Sequence, residues 1–206
     1  MLTVAFVPGV TVRKWTRAWE ERRADTRLEV LPTAEARQVA VLLDHEADLS
    51  FVRLPVDRDG LSVIRLYEEI PVAVLPREHA LEAQPTVLLA ELAKENVLEA
   101  ADDIADVVEL VAAGVGIVVL PQSIARLHNR KDVVARPVTD APATEIAIAW
   151  LAAQTTADVE EFVGIVRGRT ARSSRTAPTP PTPKPVRAKV SKPKPAIHSR
   201  KRKSGR

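Results

Sequence analysis

Apolar positions along the first part of the chain alternate between short runs and helical faces. Runs at residues 2–7, 28–31 and 48–54 predict strands, and apolar residues at helical spacing predict helices at 11–23 and 34–43. Strands that alternate with helices through short connections are typical of βαβ units. The pattern therefore predicts a first α/β lobe with right-handed crossovers.

A second lobe is predicted further along the chain. Runs at residues 61–67 and 70–75 predict paired strands that carry the chain into it, and a helix is predicted at 87–93. The segment 107–127 then holds an apolar helical face, a glycine stop, a strand that is apolar on both faces and a new helix that begins after Pro121. This segment predicts the crossover of a parallel sheet.

The end of the apolar pattern returns the chain to the first lobe. Strands are predicted at 133–138 and 145–151, and an amphipathic closing helix is predicted at 158–167. Two crossings predict a hinged pair of lobes. The expected organisation is a first part of lobe I at 1–68, lobe II at 69–143, the return strand and closing helix of lobe I at 144–170, and a tail at 171–206.

Several landmarks resemble, in order, the effector-binding domain of LysR-type transcriptional regulators. They are LTVAFVPG at 2–9, DLSFVRLP at 48–55, LYEEIPVAVLPREH at 66–79, LLAEL at 88–92 and VAAGVGIVVLP at 111–121. The resemblance implies the α/β, two-lobed (type 2) fold of periplasmic solute-binding proteins, with two Rossmann-like subdomains. It covers about residues 1–170.

The chain departs from the family pattern in two places. It begins at the first strand of the effector domain, where family members carry a winged helix-turn-helix and a linker helix. Between Asn96 and Val107 it is also shorter than the strand and helix that line the ligand cleft in family members, so a shortened lobe II is expected. An alternative for the first departure is a start codon upstream of Met1.

Candidate ligand contacts lie at the ends of the predicted strands of lobe I. In such folds the cleft at the carboxyl ends of strands binds small molecules, because helix N-termini and loop amides converge there. The candidates are Thr11, Thr33, Arg53 and Pro55, with a small anionic metabolite as the expected partner. In the alternative interpretation, Thr11 is only a helix N-cap and Arg53 a surface residue.

Trp15 and Trp19 lie one turn apart in the first predicted helix. Family members pair head to tail through this helix and a helix of the partner's lobe II. The resemblance therefore implies that the two tryptophans anchor a homodimer, or a heterodimer with a full-length LysR-type regulator. The alternative is that at least one of them packs on the sheet as core.

The charge is divided between the body and the tail. Residues 171–206 hold 12 of the 30 Lys and Arg residues and none of the 27 Asp and Glu residues, together with seven prolines. This composition predicts a disordered, proline-rich basic tail that neutralises DNA phosphates without sequence specificity. The candidate DNA contacts are Lys189, Lys192, Lys194, Arg200, Lys201, Arg202 and Lys203. The alternative is a solubilising tail.

No catalytic, metal or cofactor site is expected. The chain has no cysteine and no phosphate-cradling glycine loop. Asp102, Asp103, Asp106 and Glu109 are interpreted as acidic residues that complement a helix dipole rather than as a cation site. His45 has no partner at metal-ligand spacing. We therefore do not expect an enzyme.

The expected function is transcriptional regulation. The chain senses a small metabolite or pairs with regulators, and its tail contacts DNA; the alternative is a small-molecule binding module with no DNA role. No export leader is recognised, and no apolar stretch reaches the roughly 20 residues that span a bilayer. A cytoplasmic location is expected.

Overall fold

The computed structural model describes residues 1–100 and 103–169, which form two β-sheets covered by helices. The strands are β1 (Leu2–Phe6), β2 (Leu28–Pro32), β3 (Leu49–Leu54), β4 (Leu61–Glu69), β5 (Pro71–Pro76), β6 (Val118–Pro121), β7 (Val133–Pro137) and β8 (Thr144–Leu151). The helices are α1 (Arg13–Arg22), α2 (Ala40–Leu43), α3 (Leu89–Leu92), α4 (Ile104–Ala112), α5 (Gln122–Leu127) and α6 (Ala157–Val166).

The sheet of lobe I has the strand order β2-β1-β3-β8-β4. β1 runs parallel to β2 and β3, while β8 runs antiparallel to β3 and β4. Helices cover both faces of the central strands, so β3 is buried on both sides, as its continuous apolar run predicts. The βαβ organisation predicted for residues 1–54 is confirmed.

The sheet of lobe II has the order β6-β5-β7, and both outer strands run antiparallel to β5. The predicted crossover of a parallel sheet is therefore wrong for β6, whose hydrogen-bonded neighbour is β5. The sequence around Pro121 specifies a helix, a strand and a helix, but it does not specify which strand the new one pairs with. Isolated parallel bridges join Val97 to Ile117 and Val87 to Val138.

The chain crosses between the lobes at two adjacent points. β4 belongs to lobe I and pairs with β8, whereas β5 belongs to lobe II, so the predicted pairing of the runs 61–67 and 70–75 is wrong. Of the two strands that were predicted to return to lobe I, β7 stays in lobe II and β8 returns. Glu69 at the end of β4 pairs with Thr144 at the start of β8. The two crossings thus lie side by side.

The predicted helix at 34–43 is interrupted. A single 3-10 turn, Glu35–Arg37, precedes the four residues of α2. The Gln38 amide explains the interruption, because its Oε1 accepts from the Arg53 backbone N–H at 2.7 Å and its Nε2 donates to the Arg53 carbonyl at 3.1 Å. The pairing of the Gln38 side chain with the end of β3 fixes the backbone at Gln38, and this separates the 3-10 turn from α2.

Candidate functional site

A cleft lies between the strand ends of lobe I and helix α5 of lobe II. The carboxyl ends of the parallel strands β1 and β2 open on it, which is where open α/β sheets bind small molecules. Its wide chamber, of about 770 Å³, is lined by Phe6, Pro8, Gly9, Val10, Thr11, Pro32, Thr33, Ala34, Ser123, Arg126 and Leu127. Its narrow chamber, of about 380 Å³, is lined by Gly9, Thr11, Lys14, Trp15, Tyr67, Glu68, Glu69, Ile70, Gln122, Ser123 and Arg126.

Gly9 and Ser123 bring the two lobes into contact. Gly9 has a φ of +87°, and a Cβ built on it would lie 2.9 Å from the Ser123 Cβ and even closer to its Oγ. Only glycine therefore suits this position, both for its backbone conformation and for the close approach of α5. The Ser123 Oγ is buried and has no hydrogen-bond partner among the described residues. The hydroxyl is thus covered by the contact between the lobes, although the residue lines both chambers.

Two of the predicted ligand contacts lie on the wide chamber. Thr11 is exposed and lines both chambers, while Thr33 is largely buried and lines the wide one. The Thr33 hydroxyl donates to the Leu31 carbonyl at 3.2 Å and keeps its lone pairs for another donor. Thr11 is not the N-cap of α1, because the cap position is Val12, which has no side-chain cap. Ligand contact at both threonines stays a prediction.

Arg53 differs from both interpretations of it, because it is neither at the surface nor free. Its guanidinium donates to Glu69 at 3.0 Å, to Glu35 at 2.5 Å and to the Pro8 carbonyl at 3.1 Å, and its side chain is 4% exposed. With two internal carboxylates it has no free face for a ligand anion. The predicted direct role is therefore corrected to a positioning role.

Pro55 also lies apart from the cleft. It lines a separate groove of about 270 Å³ together with Leu54, Val56, Arg58, Arg65, Ala143 and Glu145. The strand ends of β1 and β2 open on the side of α5, whereas the end of β3 leads Pro55 away from it. The prediction that all four strand-end residues share one site is wrong for this residue.

Arg126 is the cleft residue that the sequence reasoning missed. It lies on α5, is exposed, lines both chambers and makes no ion pair with any described residue. Its position was readable from helical spacing, since Arg126 follows Gln122 by four residues and Ser123 by three and so shares their face. It places a guanidinium at the cleft, where the prediction had placed that of Arg53.

The tryptophans are core residues, and the prediction that they anchor a dimer is wrong. Trp15 is 7% exposed and stacks on Phe51 with 4.7 Å between ring centroids. Trp19 is 1% exposed, lies against Phe162 and donates from its Nε1 to the Thr26 carbonyl at 2.9 Å. Their rings are covered within their own lobe, so the core alternative is correct for both.

The charges around the narrow chamber include one perturbed group. Burial raises the pKa of the Tyr67 hydroxyl; the nearby Glu69 raises it further, and Arg53 acts in the opposite direction. Tyr67 therefore stays a neutral hydroxyl at neutral pH and can donate or accept a hydrogen bond in the chamber.

Other candidates from the sequence fall outside the cleft. Asp103 caps α4, because its Oδ1 accepts from the backbone N–H groups of Ala105 at 3.0 Å and Asp106 at 3.4 Å. Within residues 1–100 and 103–169, no group of three or more His, Asp or Glu residues could hold a metal ion. No helix in the same ranges is long and apolar enough to cross a membrane.

The candidate tail contacts and one acidic residue lie outside the described part of the chain. They are Lys189, Lys192, Lys194, Arg200, Lys201, Arg202, Lys203 and Asp102.

The sequence profile of the LysR substrate binding domain matches residues 1–100 and 99–171. The two matched segments meet at residues 99–100, inside the stretch between Asn96 and Val107 where the sequence predicts a shortened lobe II.

Two curated relatives are transcriptional regulators by name. The Hca operon transcriptional activator HcaR of Escherichia coli K12 is 24% identical over 202 residues, which cover 82% of this chain and 68% of the relative. The HTH-type transcriptional regulator CatR of Pseudomonas putida is 26% identical over 158 residues, which cover 62% of this chain and 54% of the relative. The chain thus spans only part of each relative's length.

Solved structures share the fold at low sequence identity. A C206 mutant of Corynebacterium glutamicum OxyR superposes with a TM-score of 0.68 at 19% identity, covering 81% of this chain and 63% of the other. The BenM effector binding domain with its effector benzoate gives a TM-score of 0.67 at 17% identity, covering 81% and 90%. These likenesses confirm the predicted two-lobed fold.

Proposed function

Because the chain belongs to the LysR substrate binding domain family, we propose that it acts in transcriptional regulation by sensing a small organic anion in the wide chamber. The supporting observation is the lining of that chamber. Thr11, Thr33 and Ser123, together with the cationic Arg126, line this chamber, whose wall is otherwise mainly apolar. Such a site suits a carboxylate on a small apolar body.

The two lobes contribute different parts of this recognition. Lobe I supplies the threonines and most of the apolar wall, whereas lobe II supplies Ser123, Arg126 and the apolar Leu127. A ligand that contacts both lobes binds one lobe orientation more tightly than others, and it shifts the equilibrium by that difference in affinity. Benzoate, which is the effector of BenM, is a carboxylate of suitable chemistry and serves as the first probe.

The test is a titration of the 206-residue chain with benzoate, monitored by thermal unfolding and by calorimetry. We expect the unfolding temperature to rise with benzoate concentration, because the ligand binds only the folded state. Arg126→Gln removes the charge-assisted bond and should weaken binding by about 10- to 100-fold, since such bonds contribute roughly 1.5–3 kcal/mol.

The matched control is Lys131→Gln, which removes an exposed cation of lobe II that lines neither chamber. It should bind benzoate as the wild type does. A panel of small carboxylates that all leave the unfolding temperature unchanged contradicts the proposal, and so does equal affinity in Arg126→Gln and the wild type.

The proposed assembly is a head-to-tail dimer, formed with a second copy or with a full-length regulator. With the tryptophans buried, α1 presents the exposed Arg13 and Arg17, the second of which pairs with Glu21 at 3.0 Å, and α4 presents the exposed Asp106 and Glu109. The two arginines are complementary in charge to the two acids of α4. Reversing both arginines to Glu should weaken association in sedimentation velocity, and mixing that variant with a copy whose two acidic residues are reversed to Arg should restore it. A dimer that is indifferent to both changes contradicts this interface.

DNA contact is assigned to the basic tail at 171–206, and a cytoplasmic location follows from the regulatory role. The support is compositional, since the tail holds 12 basic and no acidic residues. A binding module with no DNA role is the competing function, and the DNA titration argued at the end of the Discussion separates the two.

A further inference from the structure

The narrow chamber is a second compartment of the cleft with a different lining. It lies between α1 and β4 of lobe I and α5 of lobe II, next to the point where the chain first crosses between the lobes. The wide chamber has an apolar wall and one cation, whereas the narrow chamber is lined by side chains of both charges. The two chambers share the Gly9–Ser123 contact.

Three charged side chains of the narrow chamber have no ionic partner in the described part of the chain. They are Lys14 on α1, Glu68 on β4 and Arg126 on α5. The fourth charge, Glu69, is neutralised because its buried carboxylate accepts from Arg53 at 3.0 Å. The chamber therefore offers two free cations and one free carboxylate.

The uncharged lining fits the same kind of ligand. Gln122 and the neutral Tyr67 hydroxyl can donate or accept hydrogen bonds, and Ile70 gives an apolar surface that is 53% exposed. The Lys14 ammonium lies 4.3 Å from the centroid of the Trp15 ring, which holds it near the chamber wall by a cation–π contact.

We propose that the narrow chamber binds an α-amino dicarboxylate of the size of glutamate. The two carboxylates pair with Lys14 and Arg126, and the ammonium pairs with Glu68, so the ligand matches each free charge with its opposite. A dicarboxylate without the amine leaves Glu68 unpaired, and a monocarboxylic amino acid leaves one cation unpaired. Because Lys14 and Glu68 belong to lobe I and Arg126 to lobe II, the ligand joins the two lobes.

The first test compares three probes by calorimetric titration of the 206-residue chain. L-Glutamate carries all three charges, glutarate lacks the ammonium, and L-glutamine lacks the second carboxylate. We expect L-glutamate to bind at least tenfold more tightly than either analogue, because each lost charge-assisted bond leaves a charge in the chamber without a partner. Equal affinities for L-glutamate and glutarate, or no binding of L-glutamate, overturn the proposal.

The second test assigns the ammonium contact to its residue. Glu68→Gln should lower the affinity for L-glutamate at least tenfold and abolish the preference for L-glutamate over glutarate, an effect that a general loss of structure does not produce. The matched control is Glu20→Gln, which neutralises an exposed acid of α1 that does not line the chamber and should change neither affinity. Retention of the preference in Glu68→Gln overturns the assignment.

Both proposals place a carboxylate on Arg126, so their outcomes are separated by Glu68 and Thr33, each of which lines one chamber only. Thr33 lines only the wide chamber, so Thr33→Val should weaken benzoate and leave L-glutamate unaffected. Binding of benzoate without binding of L-glutamate overturns the inference for the narrow chamber alone. Binding of L-glutamate without any small carboxylate in the wide chamber overturns the effector proposal alone.

Discussion

Arg53 joins four parts of lobe I through its side chain and its backbone. The guanidinium contacts the loop after β1, the 3-10 turn after β2 and the end of β4, and the backbone pairs with Gln38. Two of these parts, the loop at Pro8 and the strand end at Glu69, line the cleft. A residue that touches no ligand can thus fix the shape of the site.

Replacement of Arg53 should be strongly destabilising. Arg53→Met leaves the Glu69 carboxylate buried without its cation, and removal of one partner of a buried pair costs about 3–5 kcal/mol of unfolding free energy. Arg53→Met combined with Glu69→Leu should recover more than half of the loss, because no buried charge remains. Urea denaturation of the three proteins measures this coupling. Additive losses in the double variant would show that the pair does not act as a unit.

Gly9 is a second residue whose replacement has a specific expected cost. Gly9→Ala places a side chain at positive φ, which costs about 1–2 kcal/mol, and also forces it against Ser123, which adds about 1–3 kcal/mol. Gly60→Ala is the control, since Gly60 has a φ of +67° but open space around it. Urea denaturation should therefore show a larger loss for Gly9→Ala. Equal losses would mean that the lobes separate freely at this contact.

At the scale of elements, α1 is held by its aromatic face. Trp15→Ala removes the ring that stacks on Phe51, and loss of a buried aromatic side chain costs about 3–5 kcal/mol. Trp15→Phe should lose much less. We expect chemical denaturation midpoints to fall in that order. An unchanged midpoint together with dissociation of an oligomer in sedimentation velocity would restore the interface role that the buried position excludes.

The sequence predicted the elements of both lobes better than it predicted their partners. Apolar runs identified every strand of lobe I, because a strand of this sheet carries apolar residues wherever it packs against other parts of the lobe. Pairing was less accessible, since β4 and β5 are adjacent in sequence but lie in different sheets, and only the register of β4 against β8 shows this. Local patterns specify an element; long-range hydrogen bonds select its neighbour.

The sequence predicted which residues line the cleft when they follow the end of a strand. It did not predict those whose position depends on contacts between distant parts of the chain. Thr11 and Thr33 follow strands that open on the wide chamber. Arg53 also ends a strand, yet two acids that are distant in sequence, Glu35 and Glu69, occupy it. Arg126 was missed because it lines the cleft only when α5 faces the loop after β1.

At the scale of the whole molecule, the chain is divided into two parts of opposite net charge. The 36 residues from 171 onward carry 12 positive and no negative side chains, whereas the preceding 170 residues carry 18 basic and 27 acidic ones. An acidic body is repelled by DNA phosphates, and a basic tail is attracted to them. DNA affinity should therefore depend on the tail alone.

The salt dependence of DNA binding tests this division. The full chain should bind a duplex without sequence preference and lose about 10³- to 10⁵-fold in affinity between about 50 and 200 mM salt, if about 6–10 phosphates are neutralised. A chain that ends at Thr170 should not bind. Replacing the four consecutive basic residues 200–203 by Gln should reduce the salt slope by about 3–4, because each phosphate contact contributes about 0.9. Fluorescence anisotropy measures all three proteins. The salt slope reports the number of counterions that are released. An unchanged slope in the Gln variant would therefore show that residues other than 200–203 contact the phosphates, and binding by the shortened chain would assign those contacts to the body.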